Sequence, residues 1–243
     1  MRRDSGDAPP LLSVRGLDAW YGRAQILFGV QLEVRAGEAV ALMGRNGAGK
    51  STTLKAIMGL VPARSGTIAF DGRRIERCEP YEIARAGIGY VPEDRRIFAD
   101  LTVRENLEVG RRPPRPGAPV WTLERILALF PALRELLDRP GGRTSGGEQR
   151  MLTVARTLMG NPRLLLLDEP SEGVAPLVVE RMAAAIGALK AEGLALLVSE
   201  QNLPFAAEVC DRVYVLEKGE VRYSGAMRDF VADEATRRAY LTV

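Results

Sequence analysis

Residues 39–52 read Ala-Val-Ala-Leu-Met-Gly-Arg-Asn-Gly-Ala-Gly-Lys-Ser-Thr, an apolar run, a glycine-rich turn and then a basic residue with two hydroxyls opening a helix-like segment through Leu60. Gly44 and Gly49 stand five apart and are followed directly by Lys50 and Ser51, the spacing of a phosphate-binding loop. Each residue type has a reason to be there. The glycines let successive backbone N–H groups turn inward, and the helix that follows adds the positive end of its dipole. Lys50 supplies a mobile cation and Ser51 offers a hydroxyl to magnesium. Strand, loop and helix come in the required order, so the stretch predicts an ATP or GTP site at the end of a buried strand in an α/β fold.

Composition bounds what surrounds that site. With 243 residues, 46% of them hydrophobic, the chain can bury a large core and reads as one elaborated α/β domain. Its formal net charge is +3, with opposite charges interspersed, so no basic stripe points to nucleic acid. The absence of histidine excludes a His-ligated metal or a His general base. Cys78 and Cys210 are isolated and form no metal spacing, as expected in a reducing compartment. No apolar run approaches the roughly 18 residues that span a bilayer. Residues 1–10 are polar, lack an apolar signal core and read as a disordered lead-in, which together predict a cytoplasmic protein.

Outward from the phosphate loop, Leu11 to Val14 and Ile26 to Val34 predict strands, with Trp20 and Tyr21 between them. Tyr21 either packs on the sheet or presents its ring to a base. Gly66 to Phe70, the Asp71-Gly72 turn and Arg73 to Ile75 predict a hairpin. Glu79 to Ala86 predicts a short helix, Ile88 to Val91 a strand, and the charged run Glu93-Asp94-Arg95-Arg96 a solvated loop. From Leu101 to Asp138 the period is helical, with Thr102 and Glu105 spaced as a capping box and a proline-rich interruption at 113–119. With no strand pattern there, this block predicts a helical insertion into the α/β core.

Two later stretches carry further polar chemistry. Thr144-Ser145-Gly146-Gly147-Glu148-Gln149 runs into a helix, and Ser145 with Glu148 satisfies a capping box without any ligand. Leu164 to Leu167 is continuously apolar and ends in Asp168-Glu169-Pro170, as a strand buried on both faces of a parallel sheet does. Carboxylates at that end lie where open α/β sheets bind ligands. Asp168 can hold magnesium through water, and Glu169 can orient or deprotonate an attacking water. Leu194 to Val198 predicts one more buried strand, ending in Ser199-Glu200-Gln201-Asn202, from which Gln201 can reach the terminal phosphate. A hairpin around Lys218-Gly219 and a single helix from Met227 to Tyr240 complete the chain.

Taken together, the phosphate loop, the Thr-Ser-Gly-Gly-Glu-Gln turn and the strand into Asp168-Glu169-Pro170-Ser171-Glu172-Gly173 resemble an ATP-binding cassette ATPase from about Leu11 onward. Tyr90 to Phe98, residues 161–173 and Glu200-Gln201-Asn202 resemble more narrowly the LivF-type subunit of branched-chain amino acid importers. The resemblance implies a P-loop NTPase core with a flanking antiparallel β-subdomain and an inserted helical subdomain. Residues 11–92 and 161–226 would form the nucleotide-binding core, 93–160 the helical subdomain with the signature, and 227–243 a C-terminal helix. It also implies site roles. Tyr21 would stack on adenine, while Gly44, Arg45, Asn46, Gly47, Ala48, Gly49, Lys50, Ser51 and Thr52 would hold the phosphates. Ser51, Glu93 and Asp168 would bind magnesium, and Glu169, assisted by Lys50 and Gln201, would be catalytic. Ser145, Gly147 and Glu148 would contact the γ-phosphate of ATP held by a partner cassette.

Several positions differ from the commonest cassette pattern. Glu93 replaces glutamine, Gln201 replaces histidine, Thr144 replaces leucine, and the usual aspartate after Ser171 is missing. The narrower family shares the residues at 93 and 201. Implied partners are a second cassette subunit, two membrane permease subunits and, indirectly, a solute-binding protein, with this chain peripheral on the inner face of the membrane. A related urea or short-amide importer, or a mainly regulatory half of a cassette heterodimer, are the alternatives the residues leave open.

Overall fold

The computed structural model describes residues 9–241, so most of the lead-in expected over residues 1–10 lies outside them. The chain begins with β1 (Leu12–Tyr21), β2 (Ala24–Val34), β3 (Ala39–Met43), α1 (Lys50–Ile57), β4 (Ala63–Phe70) and β5 (Arg73–Arg74). There follow α2 (Pro80–Ala86), β6 (Ile88–Val91), α3 (Val103–Gly110), α4 (Leu123–Leu129), α5 (Pro131–Arg134) and α6 (Gly146–Leu158). The last third holds β7 (Leu164–Asp168), α7 (Pro176–Ala191), β8 (Ala195–Glu200), α8 (Leu203–Val209), β9 (Arg212–Glu217), β10 (Glu220–Ala226), α9 (Met227–Ala232) and α10 (Glu234–Leu241).

Two sheets result. A four-stranded antiparallel sheet has the order β2-β1-β4-β5, and a six-stranded sheet has the order β10-β9-β3-β8-β7-β6. In the second, β9, β3, β8, β7 and β6 are parallel and β10 turns back antiparallel. Parallel strands deliver their carboxyl ends to one edge, and the register aligns them: Met43 opposite Glu200, Ser199 opposite Asp168, Leu167 opposite Val91. The phosphate loop and the segments after β6, β7 and β8 therefore leave the sheet side by side.

The middle strands of the larger sheet, β3, β7 and β8, are buried on both faces because they are apolar on both sides. Ala39, Ala41, Met43, Leu165 and Leu167 pack with α6, α7, α8 and the helical insertion. Val40, Leu42, Leu164 and Leu166 pack with α1 and the antiparallel sheet. Thr102 and Ser145 cap α3 and α6 through capping boxes, as their spacing predicts. Arg115, from the proline-rich loop, donates to the carbonyls of Ala84, Arg85, Gly160 and Asn161, just where α2 and α6 end and carbonyls lack partners.

The structure departs from the sequence reading in three places. The first strand does not end at Val14 but runs on through Gly16 to Tyr21, so Trp20 and Tyr21 lie within it rather than between strands. The expected single helix over 227–240 is two, because Asp233 ends α9 and its carboxylate accepts the Thr236 N–H at 3.0 Å to start α10. An unanticipated helix, α8, follows Asn202, whose side chain accepts the Phe205 N–H at 3.2 Å.

Candidate nucleotide-hydrolysis site

Backbone geometry shapes the phosphate loop before any side chain does. Gly44, Gly47 and Gly49 all have positive φ, and a Cβ on Gly44 would stand 2.3 Å from the Leu216 carbonyl oxygen. A Cβ on Gly49 would meet the Leu27 and Leu216 side chains at 2.8 and 3.1 Å. Only glycine fits those two points, and the curl they allow presents the amides that begin α1. Arg45, Asn46 and Gly47 are exposed at the tip, whereas Ala48, Gly49, Lys50 and Thr52 are buried and Ser51 is half-buried.

Lys50 and Glu169 meet beneath the loop. The Lys50 Nζ lies 3.0 Å from Glu169 Oε1, with the two side chains 3% and 6% exposed. It also donates to the carbonyls of Gly44 at 2.9 Å and Arg45 at 3.2 Å. Glu169 reaches this position through a left-handed backbone, φ 46°, which breaks the strand alternation that would turn its side chain away from that of Asp168. Its N–H donates to both the carbonyl and the hydroxyl of Ser199, each at 3.1 Å. Burial works against the Glu169 charge, but hydrogen bonds with Glu172, Gln201 and Lys50 outweigh it and hold the carboxyl below its usual range.

Gln201 joins the same cluster. Its Nε2 donates to Glu169 Oε2 at 2.9 Å and to Asn46 Oδ1 at 2.7 Å, tying the end of β8 to the loop tip. Asp168, 1% exposed, accepts from Ser51 Oγ at 2.9 Å and Ser199 Oγ at 2.7 Å through Oδ1, and from the Tyr90 hydroxyl at 3.1 Å through Oδ2. Burial, then the Asp168 charge, pushes the Tyr90 phenol well above its ordinary value, so it remains a donor. The Ser51 hydroxyl and the Asp168 carboxylate form an all-oxygen pair beside a phosphate cradle, which suits a hard divalent cation. Glu93 is exposed after β6 and makes no hydrogen bond or ion pair with Ser51 or Asp168 among the described residues.

The remaining expected residues lie apart from this cluster. Tyr21 ends β1 with its side chain 49% exposed, free to present a ring face. Ser145 and Glu148 satisfy each other: the Glu148 carboxylate accepts the Ser145 N–H at 2.6 Å, and Ser145 Oγ accepts the Glu148 N–H at 3.3 Å. Gly147 packs so closely on α7 that a Cβ would stand 2.6 Å from Val178 Cγ2. No hydrogen bond or ion pair joins Ser145, Gly147 or Glu148 to the chain's own phosphate loop among the described residues.

Sequence reasoning missed Tyr90 and Ser199 as partners of Asp168, since both lie within apolar strands and only register brings them there. It also missed that the 93–96 loop is tethered to α6. Thr153 Oγ1 donates to the Arg95 carbonyl at 2.6 Å, and Arg156 donates to that of Arg96 at 2.6 Å while its guanidinium lies over the Phe98 ring. Arg150, 2% exposed on α6, reaches the carbonyls of Pro92 and Glu172, both at 3.4 Å.

The ABC transporter family profile matches residues 27–172. BraG, a high-affinity branched-chain amino acid transport ATP-binding protein of Pseudomonas aeruginosa, is 40% identical over 95% of this chain and 99% of its own length. The probable branched-chain amino acid transport ATP-binding protein LivF of Archaeoglobus fulgidus is 34% identical over 90% of this chain and 93% of its own. LptB, a lipopolysaccharide export system ATP-binding protein of Escherichia coli, is also 34% identical, over 95% and 96%. Among solved structures, a nucleotide-free ATP-binding cassette from an ABC transporter superposes with a TM-score of 0.80 at 28% identity, covering 94% of this chain and 97% of that one. The ADP conformation of the cassette MJ1267 gives 0.79 at 27% identity, covering 94% and 97%. The chain therefore belongs to the ABC transporter family, as an ATP-binding subunit that hydrolyses ATP.

Proposed function

We propose that this chain is the ATPase of an importer for branched-chain amino acids, working against a second cassette and beneath membrane permease subunits. The observation that carries the solute assignment is the 40% identity with BraG across nearly the whole of both chains. At the site itself, ATP would take Tyr21 against its adenine and the loop 44–52 around its phosphates. Lys50 would exchange the Glu169 carboxylate and the Gly44 and Arg45 carbonyls for phosphate oxygens, freeing Glu169 to orient and deprotonate the attacking water. Gln201, already bonded to Glu169 and Asn46, would donate to the γ-phosphate. Ser51 and Asp168, with Glu93 as a further oxygen ligand, would hold a magnesium ion, which when bound neutralises charge on the phosphates.

The capped end of α6, with Ser145, Gly147 and Glu148, would face the nucleotide of the other cassette, and residues 171–175 would line the contact between the two. Residues 11–92 and 161–226 would then act as the nucleotide core, 93–160 as the unit that meets the permease, and 227–243 as the chain's end. A groove beside α2 supports the permease contact: Tyr81, Phe98 and Val109 stay exposed around it, with Arg85, Arg112 and Arg156. Among the described residues no helix is long and apolar enough to cross a membrane. A second reading, another solute or the export of a lipid, is favoured by the LptB similarity.

The test is reconstitution of the chain with its permease and solute-binding subunits in proteoliposomes. Leucine, isoleucine or valine on the binding protein should stimulate phosphate release and accumulate inside. Stimulation by urea or short amides alone, or by none of these, would overturn the solute assignment.

A further inference from the structure

Glu200 is a third carboxylate buried at the same sheet edge, beside Asp168 and Glu169, and none of the phosphate chemistry above uses it. It is 2% exposed at the last position of β8. Its Oε1 accepts the backbone N–H of Ser171 at 2.9 Å, while Oε2 accepts those of Gln201 at 3.0 Å and Asn202 at 3.1 Å. No Lys or Arg forms an ion pair with it among the described residues. A buried carboxylate without a counter-ion is costly unless its oxygens are hydrogen-bonded, and here three N–H donors fill that need. The sheet does not require the charge, since an apolar residue would continue the buried pattern of β8.

What the carboxylate does is join two segments far apart in sequence. One oxygen holds the start of 171–175, the stretch assigned above to the contact between cassettes. The other holds the backbone of Gln201, whose side chain bridges Glu169 and Asn46, and of Asn202, which caps α8. A short, planar, two-sided acceptor between them leaves little freedom for one to move without the other.

We propose that Glu200 is a positioning residue that couples residues 171–175 to Gln201, so that displacement of the first on cassette pairing resets the γ-phosphate contact made by the second. This rests on the reading of Gln201 and of 171–175 given under Proposed function. In Glu200→Gln, an NH2 group replaces one acceptor and must face an N–H, so one of the two segments is released while the volume is kept.

The test is a double-mutant cycle on the chain reconstituted with its partner cassette and permease subunits, with ATP and magnesium, using Glu200→Gln, Gln201→Ala and both, with Glu169→Gln as reference. Glu200→Gln should lower kcat at least about tenfold while KM stays within about twofold, and should lower it less than about twofold further when Gln201 is already alanine. Independent, multiplying losses, or parallel losses in KM and thermal stability, would overturn the coupling. Full activity in Glu200→Gln alongside an inactive Glu169→Gln would overturn this inference alone, whereas a wild type without turnover would overturn both readings. Hydrogen exchange on the wild type gives an answer even if Glu200→Gln does not fold. The Ser171, Gln201 and Asn202 amides should exchange at least about tenfold more slowly than that of Gly173, and equal rates would remove the proposal.

Discussion

Single side chains at the sheet edge carry opposing demands, and the carboxylates show how they are met. Glu172 is pushed up to about 7 from its usual 4.5, first by its hydrogen bond with Glu169, then by burial and by the charges of Glu169, Glu93 and Glu200. In the folded protein it keeps a proton that the unfolded chain releases above 4.5, so its contribution to stability falls as pH rises from about 4.5 to about 7. The melting temperature of Glu172→Gln relative to wild type should therefore climb across that window and level off above it, and a flat difference would refute the shared proton. Tyr21 makes a different prediction. Aromatic stacking contributes about 1–3 kcal/mol per base, so Tyr21→Ala should weaken ATP binding roughly 5- to 150-fold yet leave binding of inorganic tripolyphosphate unchanged. Titration calorimetry with both ligands checks it. The phosphate loop, Asp168 and Glu169 could be read from the sequence because their chemistry is local to short stretches. Tyr90, Ser199 and Glu200 could not, because their roles come from register between strands distant in the chain.

Capping and close contact govern the behaviour of whole elements. α6 begins at Ser145, and Ser145→Ala should cost about 1 kcal/mol of stability through loss of the cap, measured by chemical denaturation. Gly147 lies against Val178 of α7, where an added methyl would stand 2.6 Å from Cγ2. Gly147→Ala should therefore destabilise by about 1–3 kcal/mol, and Val178→Ala in the same chain should recover most of that. Absence of rescue would show that the two helices do not depend on this contact. Helices with strong caps were legible at 102–105 and 145–148, because capping boxes are sequence patterns. α8 and the break at Asp233 were not, since Asn202 and Asp233 cap their helices through their own side chains, without the reciprocal Glu of a capping box to mark them.

At the scale of the molecule, one parallel sheet gathers the phosphate loop, Asp168, Glu169 and Gln201, while the α6 terminus with Ser145 stands apart from them. The strands of the parallel sheet were legible from the apolar runs 39–43, 88–91, 164–167 and 194–198, whereas their order was not. The tether between α6 and the 93–96 loop was hidden, because a charged run reads as solvated until Thr153 and Arg156 are placed against its carbonyls. The central claim, that Glu169 held beneath the loop by Lys50 and Gln201 activates water against bound ATP, is tested most directly by phosphate release from the reconstituted complex containing wild type or Glu169→Gln, with magnesium. The account predicts that Glu169→Gln binds ATP within a few-fold of wild type while its turnover falls at least about a hundredfold. Turnover in Glu169→Gln equal to that of wild type would contradict it.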